Sequence, residues 1–271
     1  MNELINQFYQ QGFVVKSNPN KDFLEKVFQG LSASEIIYSD SRIDKKWVSA
    51  TSGSPKHLVA PHLVYQEFKQ LILSSEVKSF ISTLWGETRV YLYNSKISIK
   101  KSFEKHLWVP HQDSAYKPRE VQGITICIFL EDADESNGTI QVFPESHKLG
   151  KLEHHLIHSG NCAYQLVIKN LPKIEPIPVK AKAGDILFMS SNTIHQSQEN
   201  KSSGVRPIFI FEIETLQKFA VDEYGKIPLM IQGQMNKFEQ LISMLNYQLN
   251  PDTLMKNSKS LGRKILNKIN N

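Results

Sequence analysis

The chain has 271 residues, 40% of them hydrophobic and 22% charged, enough apolar material to bury a sizeable core in one large domain or two modest ones. The formal charge is +5, but the lysines are dispersed and the only dense basic stretch is the tail from Lys256 to Lys268. That pattern argues against nucleic acid as a partner and favours long-range attraction of small anions. No apolar run reaches the length of a membrane span, the N-terminus lacks a basic segment with an apolar stretch behind it, and Cys127 and Cys162 are too few for a disulfide framework or a cysteine-rich zinc site. A cytoplasmic, reducing location is the expectation.

In chain order, apolar residues three and four apart predict helices over Asn2 to Gln11 and Asp22 to Leu31. The segment Trp47 to His62, with Thr51, Ser52, Gly53, Ser54 and Pro55 inside it, has the composition of a lid. Helical spacing returns from His62 to Trp85, interrupted near Ser74 and Ser75. From Arg89 the character changes to short β-rich runs at 89–99, 121–130, 138–143, 163–169, 176–180, 184–190 and 205–213, separated by Gly, Pro, Asn and Asp clusters. Seven short strands at such spacing predict a sandwich or barrel. An amphipathic helix over Gln234 to Leu249 and a loosely held tail after Pro251 follow. Without internal repeats or low-complexity linkers, residues 1–271 read as one mainly β domain with flanking helices, its core at about 89–213.

The segment WVPHQDSAY carries the chemistry. In an extended segment His111 and Asp113, two residues apart, project to the same side, so a ring nitrogen and a carboxylate oxygen can reach one ion together. A third ligand from a distant strand is available in His195, which follows the buried run GDILFMSSNTIH. Two histidines and one carboxylate on one face of an octahedron leave three open positions, the arrangement of non-haem Fe(II) oxygenases. An HxD triplet alone arises often by chance. What strengthens it is Arg206, eleven residues after His195 at the start of the apolar strand VRPIFIFEI, because a guanidinium fork there suits a carboxylate. His154, His155 and His158 lack partners at ligand spacing and read as a surface patch.

The series HQD, NGTIQVFPESHKLG and GDILFMSSNTIHQSQEN with Arg206 resembles the phytanoyl-CoA dioxygenase (PhyH) family of Fe(II)/2-oxoglutarate-dependent oxygenases, in its ectoine-hydroxylase-like form, over about residues 90–213. The resemblance implies a double-stranded β-helix, or cupin-like jelly roll, with Fe(II), 2-oxoglutarate and O2 as cofactor and cosubstrates. Carried over motif by motif, His111, Asp113 and His195 are the implied metal ligands and the catalytic centre. Arg206 and Ser197 are implied to hold the distal carboxylate of 2-oxoglutarate, with Asn94, Ser98 and Thr125 as further cosubstrate contacts. Asn94, Lys96, Ser98 and Lys100 share one strand face by alternation, which suits a polar pocket, though an exposed sheet face has the same pattern. The family usually reads PGSH where this chain has PESH at Pro144 to His147, so the turn lacks its permissive glycine. The carboxylate that related halogenases replace is present as Asp113, which favours hydroxylation.

Trp108, Gln112, Tyr116, Lys117 and Arg119 flank the triplet and are candidate substrate contacts, with Gln141 joining them if it faces the interior. They suit a small anionic or zwitterionic substrate, such as an amino-acid derivative, a sugar nucleotide or a carrier-linked acyl group. A cupin-like isomerase or hydrolase using other metals, or a binding protein of the same fold, would share the ligands without needing Arg206 for a dicarboxylate. Substrate identity and oligomeric state are not written in the sequence.

Overall fold

The computed structural model describes residues 1–18, 48–49, 56–63, 65–103, 105–117, 122–157, 165–215 and 229–233. The helices expected over 22–31 and 234–249, the tail, Arg119, His158 and Cys162 lie outside the described residues.

Helix α1 (Asn2–Gln11) turns Ile5 and Phe8 inward, three residues apart, and stops at Gly12, whose φ of 84° lets its N–H donate to Phe8 O at 2.8 Å. A β-carbon at Gly12 would stand 2.4 Å from Nδ1 of His147 and 2.6 Å from Oγ1 of Thr193, so only glycine fits. The chain leaves this turn directly into β1 (Phe13–Lys16), a strand that short-range periodicity did not predict. Where a lid was expected, β2 (Val48–Ser49) and β3 (Lys56–Val59) pair with each other, and β3 pairs onward with β4. The interrupted helical segment resolves into a 3-10 turn at Pro61–Leu63, α2 (Gln66–Ile72) and α3 (Ser75–Trp85). Ser74 causes the break: its hydroxyl accepts from Val77 N at 3.4 Å and caps α3.

Each of the seven predicted β runs contains a strand: β4 (Val90–Lys100), β6 (Gly123–Phe129), β7 (Ile140–Val142), β9 (Gln165–Ile168), β10 (Ile177–Pro178), β11 (Ile186–Ser190) and β13 (Arg206–Thr215). Four more are β5 (Trp108–His111), β8 (His154–Ile157), β12 (His195–Ser197) and β14 (Met230–Gln232). The large antiparallel sheet runs β1-β11-β6-β13-β4-β3-β2, with β14 also on β4, and the small one runs β10-β7-β12-β5; β8 and β9 form a separate pair. The fold is the expected mainly β double-stranded β-helix. His154 and His155 lie in β8, an extended strand and not a loop or a helical turn.

Alternation sorts the large sheet into two faces. Ile124, Ile126 and Ile128 of β6, Phe209, Phe211 and Ile213 of β13, and Ile97 and Ile99 of β4 point outward into one apolar cluster with α1, α2 and α3. Phe80 of α3 stacks on Phe188 of β11 with centroids 3.8 Å apart, and Phe68 of α2 lies 4.8 Å from Phe209. Fully burying such a phenylalanine contributes about 2–3 kcal/mol, so the helices act as the cover of this face. The opposite face carries Cys127, Phe129, Leu187, Met189 and Ile208 as a second cluster, and next to it the polar residues that line the interior cavity. No helix among the described residues is long and apolar enough to cross a membrane.

Candidate active site

Strand register brings the two histidines together. β12 lies between β5 and β7, and His195 pairs with His111, which sets their rings 4.2 Å apart between centroids. Each ring is fixed by the carbonyl two residues before it: Nδ1 of His111 donates to Val109 O at 2.6 Å, and Nδ1 of His195 donates to Thr193 O at 3.1 Å. With the proton on Nδ1, the Nε2 lone pair of each ring is left facing inward. Both lone pairs aim at Oδ1 of Asp113, 4.0 Å from His111 and 3.7 Å from His195. Asp113 is not in an extended strand as the alternation argument assumed; it begins a 3-10 turn, Asp113–Tyr116, that folds its carboxylate back beneath β5. The three ligand atoms lie within 4.8 Å of one another, and among the described residues no other group of three metal-ligating side chains converges in this way. Burial, with the neighbouring His195, lowers the His111 imidazole to about 3. Burial pushes the Asp113 carboxyl up, but His195 and His111 outweigh it and hold it at about 2. Two imidazole nitrogens and one carboxylate oxygen form a donor set that fits Fe(II).

The turn that presents these atoms is braced by residues other than the candidate ligands. Thr125, expected as a cosubstrate contact, donates its hydroxyl to Oδ2 of Asp113 at 2.5 Å and leaves Oδ1 facing the histidines. Gln112 is fully buried and does not reach the cavity, so it is not a substrate contact. Its amide donates to Gly150 O at 2.8 Å and Asn192 O at 2.6 Å, and its carbonyl oxygen accepts from Leu152 N at 2.8 Å. The Gln112 backbone N–H donates to Nε2 of His154 at 3.2 Å, and that ring is in turn fixed by Leu152 O at 2.8 Å. Replacing Gln112 by Ala strands three part-buried backbone groups, and a loss of about 2 kcal/mol in urea unfolding is expected together with weaker metal binding. Unchanged stability would show that water takes over those bonds.

A cavity of about 330 Å³ opens in front of the triad. Arg206, the first residue of β13, is 3% exposed, lines this cavity and donates to Gly138 O at 3.0 Å. Ser197, two residues after His195, also lines it, and its hydroxyl is buried without a hydrogen-bond partner among the described residues. A buried orphan hydroxyl beside a buried guanidinium fits an absent carboxylate. Asn94, Lys96 and Ser98 line the cavity from β4, as alternation predicts, while Lys100 of the same face is fully buried and donates to Gln198 O. Trp108 and Tyr116 line it from the side of β5, the Tyr116 hydroxyl accepting from Leu166 N at 3.0 Å.

Two further expectations are corrected. Lys117 does not stand at a mouth: it is 4% exposed, and its ammonium lies 3.1 Å from Glu212 and 3.0 Å from Glu214. Burial lowers its affinity for a proton, but the two carboxylates reverse this and raise it. Gln141 does not line the cavity; its carbonyl oxygen accepts from Gln196 at 2.7 Å and Gln198 at 3.2 Å. Sequence reasoning also passed over His57 and Glu212, both in the cavity wall. His57 lay in the presumed lid, and only the pairing of His57 with Ser98 across β3 and β4 turns it inward. Glu212 was legible as one more inward position on β13, six residues after Arg206.

The model of the family described as Phytanoyl-CoA dioxygenase (PhyH) matches residues 11–208. The chain belongs to the phytanoyl-CoA dioxygenase family. This family of Fe(II)/2-oxoglutarate-dependent oxygenases makes the chain an oxidoreductase of the dioxygenase class. It is 25% identical over 194 residues to a probable alpha-ketoglutarate-dependent hypophosphite dioxygenase of Stutzerimonas stutzeri, covering 68% of this chain and 67% of that protein. It is 26% identical over 224 residues to a phytanoyl-CoA dioxygenase of Arabidopsis thaliana, covering 79% and 77%. The crystal structure of EctD from S. alaskensis with 2-oxoglutarate and 5-hydroxyectoine is similar with a TM-score of 0.63 at 15% identity, over 81% of this chain and 77% of that one, a likeness of fold.

Proposed function

We propose that this dioxygenase hydroxylates an unactivated carbon of a small anionic or zwitterionic metabolite, with His111, Asp113 and His195 holding the iron and Arg206 with Ser197 holding the distal carboxylate of 2-oxoglutarate. The observation that carries the reading is the convergence of two fixed Nε2 lone pairs and one carboxylate oxygen in the same cavity as a buried guanidinium and an orphan hydroxyl. When bound, Fe(II) with 2-oxoglutarate and O2 supplies the oxidising power, and succinate and CO2 leave. The chain's own part is positional. The carbonyls of Val109 and Thr193 hold the two rings, Thr125 holds Asp113 by one oxygen, and the apolar side chains of Ile140, Met189 and Ile210 line the cavity and limit water there. A cavity of about 330 Å³ suits a small substrate beside the cosubstrate. Charged groups of both signs line it, which supports a polar substrate. Residues 1–271 are proposed to act as one catalytic unit in a reducing cytoplasm, where the buried thiol of Cys127 stays free.

Anaerobic titration of the apoprotein with Fe(II) and then 2-oxoglutarate tests this. A weak visible charge-transfer band is expected in the wild type and absent from His195→Ala and Asp113→Ala. No band at stoichiometric iron would move the chain towards a metal-dependent isomerase or hydrolase of the same fold.

A further inference from the structure

Asn94 carries an atom that the rest of the chain leaves unused. The residue lines the cavity from β4, is 8% exposed, and pairs across the sheet with Glu212 of β13. β4 has one more residue than β13 at this point: Asn94 faces Glu212 and Leu92 faces Ile213, with Tyr93 left over between them. An extra residue of this kind re-aims the side chains beside it. Leu92 accordingly packs into the outer apolar cluster, and Asn94 is where the cavity ends on β4. The direction of the Asn94 amide is fixed. Its Nδ2 donates to Oε1 of Glu212 at 2.9 Å, while Oε2 of Glu212 lies 3.1 Å from the Lys117 ammonium. Turning the amide over would set its oxygen against a carboxylate, so Oδ1 is the end left over. That oxygen is buried and accepts no hydrogen bond among the described residues. A buried acceptor in a cavity wall, without a donor, marks the place of an absent ligand group.

We propose that Oδ1 of Asn94 accepts a hydrogen bond from a protonated amine of the substrate, which selects the zwitterion over the plain anion. The proposal rests on the reading of the site given above and narrows it. 2-Oxoglutarate as a dianion carries acceptors alone, so it has nothing to give this oxygen. It also extends away from it, because Arg206 stands six residues before Glu212 on β13, about 20 Å of strand. Thr125, which holds Asp113, is the neighbour of Glu212 on the other side, so Asn94 lies level with the metal-binding carboxylate. A donor bound there is held beside the reacting centre. Glu212 lines the same cavity, and its Oε1 keeps a lone pair after accepting from Asn94. Two adjacent acceptors suit a group with two N–H bonds, which an ammonium has and a hydroxyl lacks.

The test compares isosteres that differ only at the amine, by anaerobic calorimetry of the Fe(II)·2-oxoglutarate complex: L-proline against cyclopentanecarboxylate, and (aminomethyl)phosphonate against ethylphosphonate. In the wild type at least one amine should bind saturably and about tenfold to a hundredfold more tightly than its carbon counterpart. Asn94→Leu should remove that preference. Glu212→Gln should lower it too, because the amide introduced there can donate to Oδ1 of Asn94 and occupy it. A cavity that is merely loosened weakens both members of a pair and leaves their ratio where it was, so thermal melting of each variant needs only to show folded protein. In parallel, the 2-oxoglutarate concentration that half-develops the charge-transfer band should be the same in wild type and Asn94→Leu. A large rise in that concentration would overturn the proposal by assigning Asn94 to the cosubstrate. Equal binding of both members in the wild type, binding of neither amine, or a preference that survives either substitution would also overturn it. Absence of the band in the wild type counts against the cosubstrate reading alone, since the pairs can be compared with Fe(II) only and still decide on Asn94.

Discussion

Arg206→Ala is expected to raise the concentration of 2-oxoglutarate needed to develop the charge-transfer band on the order of a hundredfold or more, with Fe(II) binding unchanged. The reason is geometric. Arg206 is 3% exposed and lies on the same cavity as the triad, so removing it leaves one end of a dicarboxylate buried without its fork of donors. Lysine at this position keeps the charge but presents a single ammonium, and only partial recovery is expected from Arg206→Lys. The substitution also removes the bond to Gly138 O, so thermal melting of both variants must accompany the titration. If both variants melt like the wild type and bind 2-oxoglutarate normally, the distal carboxylate lies elsewhere in the cavity.

The second large effect is on stability. Lys117→Met leaves Glu212 and Glu214 facing one another, each less than a tenth exposed, without the ammonium that now lies about 3 Å from both. Breaking a buried ion cluster by removing one sign costs about 3–5 kcal/mol, far more than the cluster itself contributes relative to an apolar replacement. The triple variant Lys117→Met, Glu212→Gln, Glu214→Gln should therefore regain most of the loss in urea unfolding. pH gives a second reading of the same cause. Burial and the charge of Asp113 already raise the Glu212 carboxyl above its ordinary 4.5, and without Lys117 the rise becomes larger. A carboxyl with a raised folded-state pKa keeps its proton after the unfolded chain has released it, so its contribution is present below 4.5 and lost as pH climbs through the folded value. The deficit of Lys117→Met relative to wild type should shrink as pH is lowered toward 4.5. A deficit that is constant with pH would mean that the carboxylates are hydrated after the substitution.

The sequence was legible where chemistry and alternation point the same way. His111, Asp113 and His195, which the fold brings together, could be picked out as candidate ligands because metal ligands are drawn from those residue types, and the seven β runs because turn residues separate them. Strands β1, β3 and β12 were not, because each is only three or four residues long and is defined by its partner across the sheet. Gln112 and Lys117 were misjudged for one reason: adjacency in sequence to a ligand says nothing about direction. The 3-10 turn at Asp113–Tyr116 sends one into the body of the protein and the other into a cluster of carboxylates. The PESH departure resolves differently. Glu145 adopts the left-handed conformation itself, at φ 63°, with its carboxylate 2.6 Å from Lys148, so the turn survives without glycine at the cost of about 1–2 kcal/mol of backbone strain.

The fixing of each ring by a carbonyl two residues earlier has a further outcome. Because Nε2 of His111 and of His195 is presented by the polypeptide alone, the receptacle for the ion exists before the ion arrives. A preformed nest of two imidazoles and one carboxylate discriminates weakly between first-row cations, and in free competition Ni(II), Cu(II) and Zn(II) outrank Fe(II). Protein made in cells rich in those metals should carry them as silent passengers. Chelation should then strip the site without unfolding the chain, and the supply of metal during production will decide how much of a preparation is able to turn over.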